Sequence, residues 1–482
     1  MFERSHGLST DLYELTMAAA YFESGLTNPA VFELFVRSLP RRRSYLIAAG
    51  LEQALEYLRS FRFTGDEIDF LREHSSFKDV SRDFFDFLGQ LRFTGDVWAL
   101  PEGTAVFGNE PILRVHAPVI EAQIIETCLL TIINFQTLIA SKAARVVTAA
   151  EGRSVIEFGT RRAHGPEAGL YAARAAYIGG CVGTSNVEAG HLFGIPTFGT
   201  LAHSFIMMFD DEDEAFRTFL KVFPDSATLL VDTYDTEAAV TRLANDFESR
   251  IQAVRLDSGD LADLSIKVRN ILDRAGKTET KVFASSDLDE YRIRDLLSRG
   301  ARIDSFGVGT QLATSYDAPA LSGVYKLVAS EQEGRMSMRI KLSTDKATYP
   351  GPKQVWRCVD KSGSYSGDIV ALEDEPQPFG VPDDEHASCH PLLEKVMSSG
   401  RAIREAAGPG ERAESGGYNH ALRRQARLAL LDQARRRAAE GLKRLPPVLL
   451  ELETEARYPV TFSERIRSEL ERAKSDRQKR GT

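Results

Sequence analysis

The sequence predicts an α/β protein with a parallel strand–helix sheet or barrel at its centre. Three observations lead there. From residue 153 onward, short apolar strands end in polar or glycine-bearing turns, and most are followed by a helical stretch. The clearest run reads strand 228–232, helix 236–250, strand 253–257, helix 260–275, strand 280–286, helix 288–299 and strand 302–309. Its interval of about 25 residues suits one strand, one turn and one crossover helix. No sequence repeat accompanies the alternation, which argues against a solenoid.

The flanking elements follow in order. Ser9 or Thr10 is a candidate N-cap for a helix over 11–21, and 30–36 reads as a strand. Residues 51–92 carry helical periodicity anchored by Leu51, Leu55, Leu58, Phe84, Phe85 and Leu88. Residues 93–118 alternate strand and turn, and a long apolar helix covers about 120–149. A short strand-like stretch at 195–198 precedes His203. Beyond the alternating region, 331–360 suggests a strand pair with a turn at 349–353, and 361–390 reads as loop or short strands. The stretch 405–417 is a candidate linker. Arg-rich amphipathic helices are expected over 419–443 and 462–480, their charge read as a solvated face.

Composition excludes several function classes. A chain of 482 residues holds two or three domains, and 43% hydrophobic with 27% charged residues is ordinary for a globular protein. A net charge of −9 argues against a general nucleic-acid surface while leaving room for a local basic pocket. The N-terminus lacks the pattern of a secretory signal, and no uninterrupted apolar segment is read as long enough to span a bilayer. Cys128, Cys181, Cys358 and Cys389 are widely spaced with no C-x-x-C pair. That spacing argues against a zinc site or a disulfide framework and predicts free thiols in a reducing cytoplasm.

In a parallel sheet or barrel, chemistry gathers where strands end and helices begin. Those ends are 157–162, 183–186, 200–204, 232–235, 255–260, 285–287 and 307–310, and each is polar or glycine-bearing. Helix capping explains part of this, and Asp260, Asp287 and Thr236 fit that role. Capping does not call for arginines, yet Arg161 and Arg255 stand at such ends. A planar guanidinium suits a phosphate or a carboxylate. Gly307, Gly309 and Thr310 offer backbone N–H groups and a hydroxyl for phosphate, although a simple tight turn explains the same glycines. Asp232 and Asp257 are oxygen ligands suited to Mg²⁺, or partners for the arginines. Phe158 can stack on a flat ring, and His203 can serve as proton carrier, ligand or nucleophile. Together they describe an α/β enzyme acting on a phosphorylated sugar.

These residues also carry a resemblance to nicotinate phosphoribosyltransferases. The matching runs are 10–17, 157–162, 183–186, 199–204, 254–260 (VRLDSGD) and 306–310, joined by Lys341, Leu342, Ser343, Lys346, Pro350 and Gly351. The resemblance covers about residues 8–360. It implies an irregular parallel α/β barrel over 141–330 that holds the active site. A second α/β domain would be built from 1–140 and 331–482, the latter ending in a basic helical tail. It further implies transfer of phosphoribosyl from 5-phosphoribosyl 1-diphosphate to nicotinate, giving nicotinate mononucleotide and diphosphate, the first step of NAD salvage from nicotinate. ATP would be a co-substrate through a phosphohistidine at His203, Mg²⁺ a cofactor, and the assembly a homodimer with the active site at its interface. No nucleic acid or membrane partner is implied.

By the same resemblance, the partner subunit's Tyr13 and Phe158 sandwich the pyridine ring, and Arg255 and Thr200 hold nicotinate. Arg161, Gly307, Gly309 and Thr310 serve the phosphoribosyl group, while Asp257 and Asp232 orient ribose or Mg²⁺. Ser185 favours nicotinate, because the related nicotinamide enzymes carry an aspartate there that would repel a carboxylate. The match is looser at 285–290, where family members commonly carry Gly or Asn in place of Ser286. The alternatives are a nicotinamide or quinolinate enzyme, or a catalytically silent barrel that binds a nucleotide.

Overall fold

The computed structural model describes residues 6–246, 251–341, 348–377, 388–403 and 418–480. The expected linker at 405–417, the matched residues Leu342, Ser343 and Lys346, and the end of the helix at 247–250 lie outside the described residues. The chain divides into two compact units. One comprises Met1–Thr137, Ala320–Gly408 and Glu440–Thr482; the other comprises Leu138–Pro319 and Pro409–Ala439. The basic helix Tyr418–Arg444, expected with the second domain, groups with the barrel unit as far as Ala439.

The first unit is built on a seven-stranded antiparallel sheet. Its order is Arg335–Met338, Gly323–Gln332, Pro29–Val36, Pro111–Pro118, Asp96–Ala99, Glu394–Ser398 and Arg401–Ala402. Pro29–Val36 is paired on both sides, and only Pro29 is not fully buried. One polar residue interrupts that apolar strand. Glu33 is fully buried, pairs with the Lys353 ammonium at 2.7 Å and accepts the Lys353 backbone N–H at 2.8 Å. A buried carboxylate is tolerable only with such a partner, and losing one member costs about 3–5 kcal/mol.

A second sheet in this unit orders Ser388–Pro391, Lys353–Val359, Tyr365–Leu372 and Val460–Phe462. Residues 365–372, expected as loop or short strand, form a full eight-residue strand. Alternate residues Val355, Val370 and Leu372 pack with Ile466 of the last helix, Glu464–Arg480. Cys358 and Cys389 face each other on adjacent strands and form a disulfide, which corrects the expectation of four free thiols. Their separation of 31 residues carries no sequence signal; strand register brings them together.

The N-terminal helix runs Leu12–Glu23 with Asp11 at its N-cap. Neither Ser9 nor Thr10 caps it: the Thr10 hydroxyl donates to the Ile124 carbonyl instead. Glu14, Leu15, Ala18 and Ala19 form its buried stripe. The helix Glu126–Ala149 is long and apolar enough by composition alone to cross a membrane, but Lys142 and Arg145 interrupt its apolar run. Two thirds of that window is buried within the protein, as in a core helix.

The second unit holds a six-stranded sheet ordered Gly183–Thr184, Ser154–Glu157, Ser305–Val308, Lys281–Ala284, Ala253–Leu256 and Thr228–Leu230. Every pairing is parallel. The first of these strands in sequence after the long helix, Ser154–Glu157, lies beside the last, Ser305–Val308. The sheet curls into a half-barrel and ends on one side at a single bridge, Thr184 to Thr197, in place of the strand expected over 195–198. Helices Thr236–Asp246, Leu261–Arg274 and Glu290–Ser298 are the crossovers between successive strands. Covered on both faces, the strands are nearly continuous apolar runs. Glu290, fully buried, takes Lys142 at 2.6 Å and Arg145 at 2.9 Å, which pins the last crossover helix to the long helix.

Asp260 caps its helix as expected, accepting from Ala262 and Asp263. The other two expected caps are displaced: Asp235, not Thr236, caps the helix at 236, and Asp289, not Asp287, caps the one at 290. The basic helix is more than a solvated face. Leu431, Ala434 and Ala438 are buried, Arg435 bonds the Gly180 carbonyl at 3.1 Å and lies 5.0 Å over the Tyr177 ring, and the Tyr177 hydroxyl donates to Asp432 at 2.7 Å.

One titration is built into the first unit. Burial, reinforced by Glu14, pushes the Glu126 carboxyl up to about 7, with Lys326 opposing. A raised carboxyl favours the protonated form in the folded state, so stability falls as pH rises from about 4.5 through 7. Glu126→Gln should remove that loss. At pH 8 the variant should gain about 1–2 kcal/mol after allowance for solvent screening, and near pH 4 it should match the parent, as read by denaturant titration at both values.

Candidate active site

The carboxyl ends of the parallel strands converge on a cavity of about 750 Å³ in the second unit. Five of the six strands contribute lining residues at or just past their carboxyl ends, where the chain turns out of the sheet and exposes polar backbone. Of the sequence-derived candidates, Phe158, Arg161, Ser185, Thr200, Arg255, Asp257, Gly307, Gly309 and Thr310 line this cavity together. Thr160, Arg162, Phe198, Ser285, Ser286 and Asp287 line it too and are not among the sequence-derived site residues. The run Ser285-Ser286-Asp287 at a strand end is the available signal; Phe198 stands in a stretch that reads as plain strand.

Arg255 is the hub. Its Nε donates to Ser285 Oγ at 2.8 Å and one Nη donates to Asp257 Oδ1 at 2.7 Å. The other Nη donates to Thr200 Oγ1 at 2.6 Å and to the Leu201 carbonyl at 3.3 Å. A guanidinium has five N–H groups, so four are engaged and one is left for a ligand. Two-pronged capture of a carboxylate therefore requires Arg255 to release Asp257 or Thr200. The pairing left open for the aspartates is settled here for Asp257, whose Oδ1 also accepts the Ser285 hydroxyl.

Asp232 lies behind this pair and does not line the cavity. Its Oδ2 accepts the Asp257 backbone N–H at 2.9 Å and the Ser258 hydroxyl at 2.6 Å, while its Oδ1 is buried with no hydrogen-bond partner among the described residues. His203 opens a short helix, His203–Ile206, and also lies outside the cavity lining. Its Nδ1 sits 3.1 Å from Thr233 Oγ1, and its Nε2 lies 4.0 Å from Asp257 Oδ2. Its side chain is 40% exposed, open to a ligand arriving from solvent.

Phe158 packs on Phe283 with ring centroids 5.5 Å apart. Gly307, expected to admit a phosphate, lines the cavity, and a Cβ there would lie 2.9 Å from the Phe158 ring and 2.7 Å from Phe283. It gives the aromatic wall room. Gly309 has its empty Cβ position 3.2 Å from the Phe158 carbonyl and precedes Thr310, the first residue of the short helix Thr310–Ala313. Tyr13 is on the N-terminal helix of the first unit, 48% exposed and not part of the cavity lining. Burial, with a hydrogen bond to Glu14 next, raises its phenol well above the usual range. Among the described residues, no cluster of three or more His, Cys, Asp or Glu side chains could hold a metal ion.

The family described as the nicotinate phosphoribosyltransferase N-terminal domain matches residues 8–134, and the quinolinate phosphoribosyl transferase C-terminal domain matches 139–319. Both are domains of pyridine-carboxylate phosphoribosyltransferases. A nicotinate phosphoribosyltransferase of Mycobacterium tuberculosis is 46% identical over 473 residues, covering 96% of this chain and 93% of its own. One of Bacillus subtilis is 49% identical over 381 residues, covering 77% of each chain. The crystal structure of human nicotinic acid phosphoribosyltransferase superposes with a TM-score of 0.79 at 29% identity, covering 96% of this chain and 99% of that one. The chain belongs to the nicotinate phosphoribosyltransferase family.

The loop at 285–287 has the backbone that Gly or Asn suits. Ser286 has φ +97° and Asp287 φ +31°, in the region that favours glycine. Ser286→Gly should relieve this strain and raise stability by about 1 kcal/mol, read as an increase in Tm.

Proposed function

We propose that this chain joins nicotinate to 5-phosphoribosyl 1-diphosphate, giving nicotinate mononucleotide and diphosphate, in the first step of NAD salvage from nicotinate. The observation that carries the reading is one cavity lined by an aromatic face, Phe158, a neutral hydrogen-bonding residue, Ser185, and a cation, Arg255. That set suits a flat aromatic carboxylate, and Arg161 and Thr310 in the same lining suit phosphate.

The pyridine nitrogen is the nucleophile: its bond to the anomeric carbon forms as the bond to diphosphate breaks. No proton leaves the nitrogen, so no enzyme base is needed. Arg255 and Thr200 orient the ring acid, and arginines at the rim stabilise the charge that develops on the leaving group. The lone Asp232 Oδ1 and the Oδ2 of Asp257 suit Mg²⁺ held mainly by substrate phosphates, with one or two carboxylates completing its shell. Bound there, the ion would neutralise the departing diphosphate.

His203 is the phosphoryl acceptor in this reading. A neutral imidazole nitrogen takes the terminal phosphoryl of ATP, forming N–P as the P–O bond to ADP breaks; water later releases phosphate. The hydrogen bond to Thr233 holds the ring, and its exposure admits ATP. The homodimer belongs to the same reading, with the exposed Tyr13 reaching the ring site of the partner. A second reading, quinolinate as substrate, is favoured by the family match over 139–319.

Purified protein with nicotinate, the sugar diphosphate, Mg²⁺ and ATP should yield nicotinate mononucleotide; quinolinate supplied alone should not replace nicotinate. No product, with or without ATP, removes the proposal. His203→Asn should lose ATP stimulation and the phosphate detectable by mass spectrometry, while slow transfer persists. Ser185→Asp should lower kcat/KM for nicotinate by about tenfold or more through charge repulsion, and raise that for nicotinamide.

A further inference from the structure

The strand-end carboxylate Glu157 is 1% exposed, lies outside the cavity lining, and has no part in the chemistry above. A carboxylate buried at the base of a site needs a reason, since its desolvation is unfavourable unless both oxygens are satisfied. Both are. Oε1 accepts the Gly159 backbone N–H, and Oε2 accepts the Thr184 hydroxyl at 2.6 Å. Thr184 has one proton, committed to Glu157, so its oxygen is free to accept the Asn186 N–H at 2.9 Å. Asn186 in turn caps the helix Val187–Phe193 through Ala189 at 2.8 Å. The Glu157 carbonyl meanwhile takes the Ser185 N–H at 2.9 Å. One residue thus ties the turn carrying Phe158 to the turn carrying Ser185.

We infer that Glu157 is a positioning residue for the pyridine subsite: it sets the spacing between the aromatic wall at Phe158 and the polar wall at Ser185, and through them the affinity and selectivity for the ring acid. Each link in the chain is directional. The Gly159 N–H can only donate, and the Thr184 hydroxyl must donate to Glu157 if it is to accept from Asn186. Only an acceptor on both oxygens meets these demands. Burial raises the Glu157 carboxyl above its usual range, and the bonds from Thr184 and Gly159 offset only part of that rise. The inference rests on the nicotinate reading proposed above.

Glu157→Gln keeps the volume and replaces one acceptor by a donor, which must face either the Gly159 N–H or the Thr184 hydroxyl. Removing one charge-assisted bond of this kind should raise KM for nicotinate about tenfold. KM for the sugar diphosphate, kcat at saturation and Tm should stay close to the parent values. Discrimination between nicotinate and nicotinamide should shrink, and Glu157→Asp, which keeps both acceptors, should recover part of the affinity. An unchanged KM for nicotinate overturns the inference. So does a uniform fall in all kinetic parameters together with Tm, which is the mark of a merely structural group. If Glu157→Gln does not fold, Thr184→Val reads the same link from the other side: a raised KM for nicotinate supports the inference and an unchanged one overturns it. Calorimetric binding of nicotinate to the parent and variant separates the two failures. A parent that binds nicotinate but forms no product refutes the proposed reaction, while the difference in binding still reports on Glu157.

Discussion

The site depends on the hydrogen-bond saturation of one guanidinium. Arg255 bonds to groups from three separate segments, Thr200 with Leu201, Asp257, and Ser285, so a single side chain holds three strand-end turns in register. Each bond is stronger for being partly buried, since the Arg255 side chain is only 12% exposed. Asp257 extends the web to Asp232 through its backbone N–H, and Asp232 extends it to Ser258. The cavity is therefore organised before any ligand arrives, which suits chemistry that works by positioning and charge.

The two units solve the problem of buried charge in similar ways. Glu33 with Lys353, and Glu290 with Lys142 and Arg145, are closed sets in which each carboxylate meets its cation at hydrogen-bond distance. Arg357 with Asp368 is another, roofed by the rings of Phe107, Tyr365 and Tyr458. Asp232 differs from these sets, because among the described residues its buried Oδ1 has neither a hydrogen-bond partner nor a cation at ion-pair distance. It stands behind the candidate site, where a ligand or ion can complete it.

Much of this was legible because strand–helix alternation and strand-end polarity are local signals. Phe158, Arg161, Ser185, Asp257 and Thr310 needed only a reading of where strands stop, and Thr200 and Arg255 lie close enough to such ends to be found with them. What escaped depends on contacts distant in sequence. The disulfide needs the register of two paired strands, and the strand Tyr365–Leu372 is polar and glycine-bearing at its start. The expected strand over 195–198 reduces to one bridge because the strand it meets, Gly183–Thr184, is only two residues long. That Gly307 makes room for Phe158 and Phe283 escapes too, because nothing local shows the two rings converging on it. The arginines of the basic helix read as solvated because nothing local announces Tyr177 or the Gly180 carbonyl as partners. Ser286 is the converse case: its departure from the usual Gly or Asn is visible at once, and its backbone angle shows why those residues suit the position.

The strand order has a consequence for how the protein is made. Ser154–Glu157 lies beside Ser305–Val308, and the Phe158 N–H closes onto the Val308 carbonyl at 2.8 Å. The aromatic wall thus waits for the last strand of the sheet to be synthesised. Until then the edge of Ser154–Glu157 that will receive that strand is unpaired, an exposure of the kind that recruits chaperones or invites wrong pairing. Pairing strands so far apart in sequence is non-local, and it is the same contact that seats the aromatic wall.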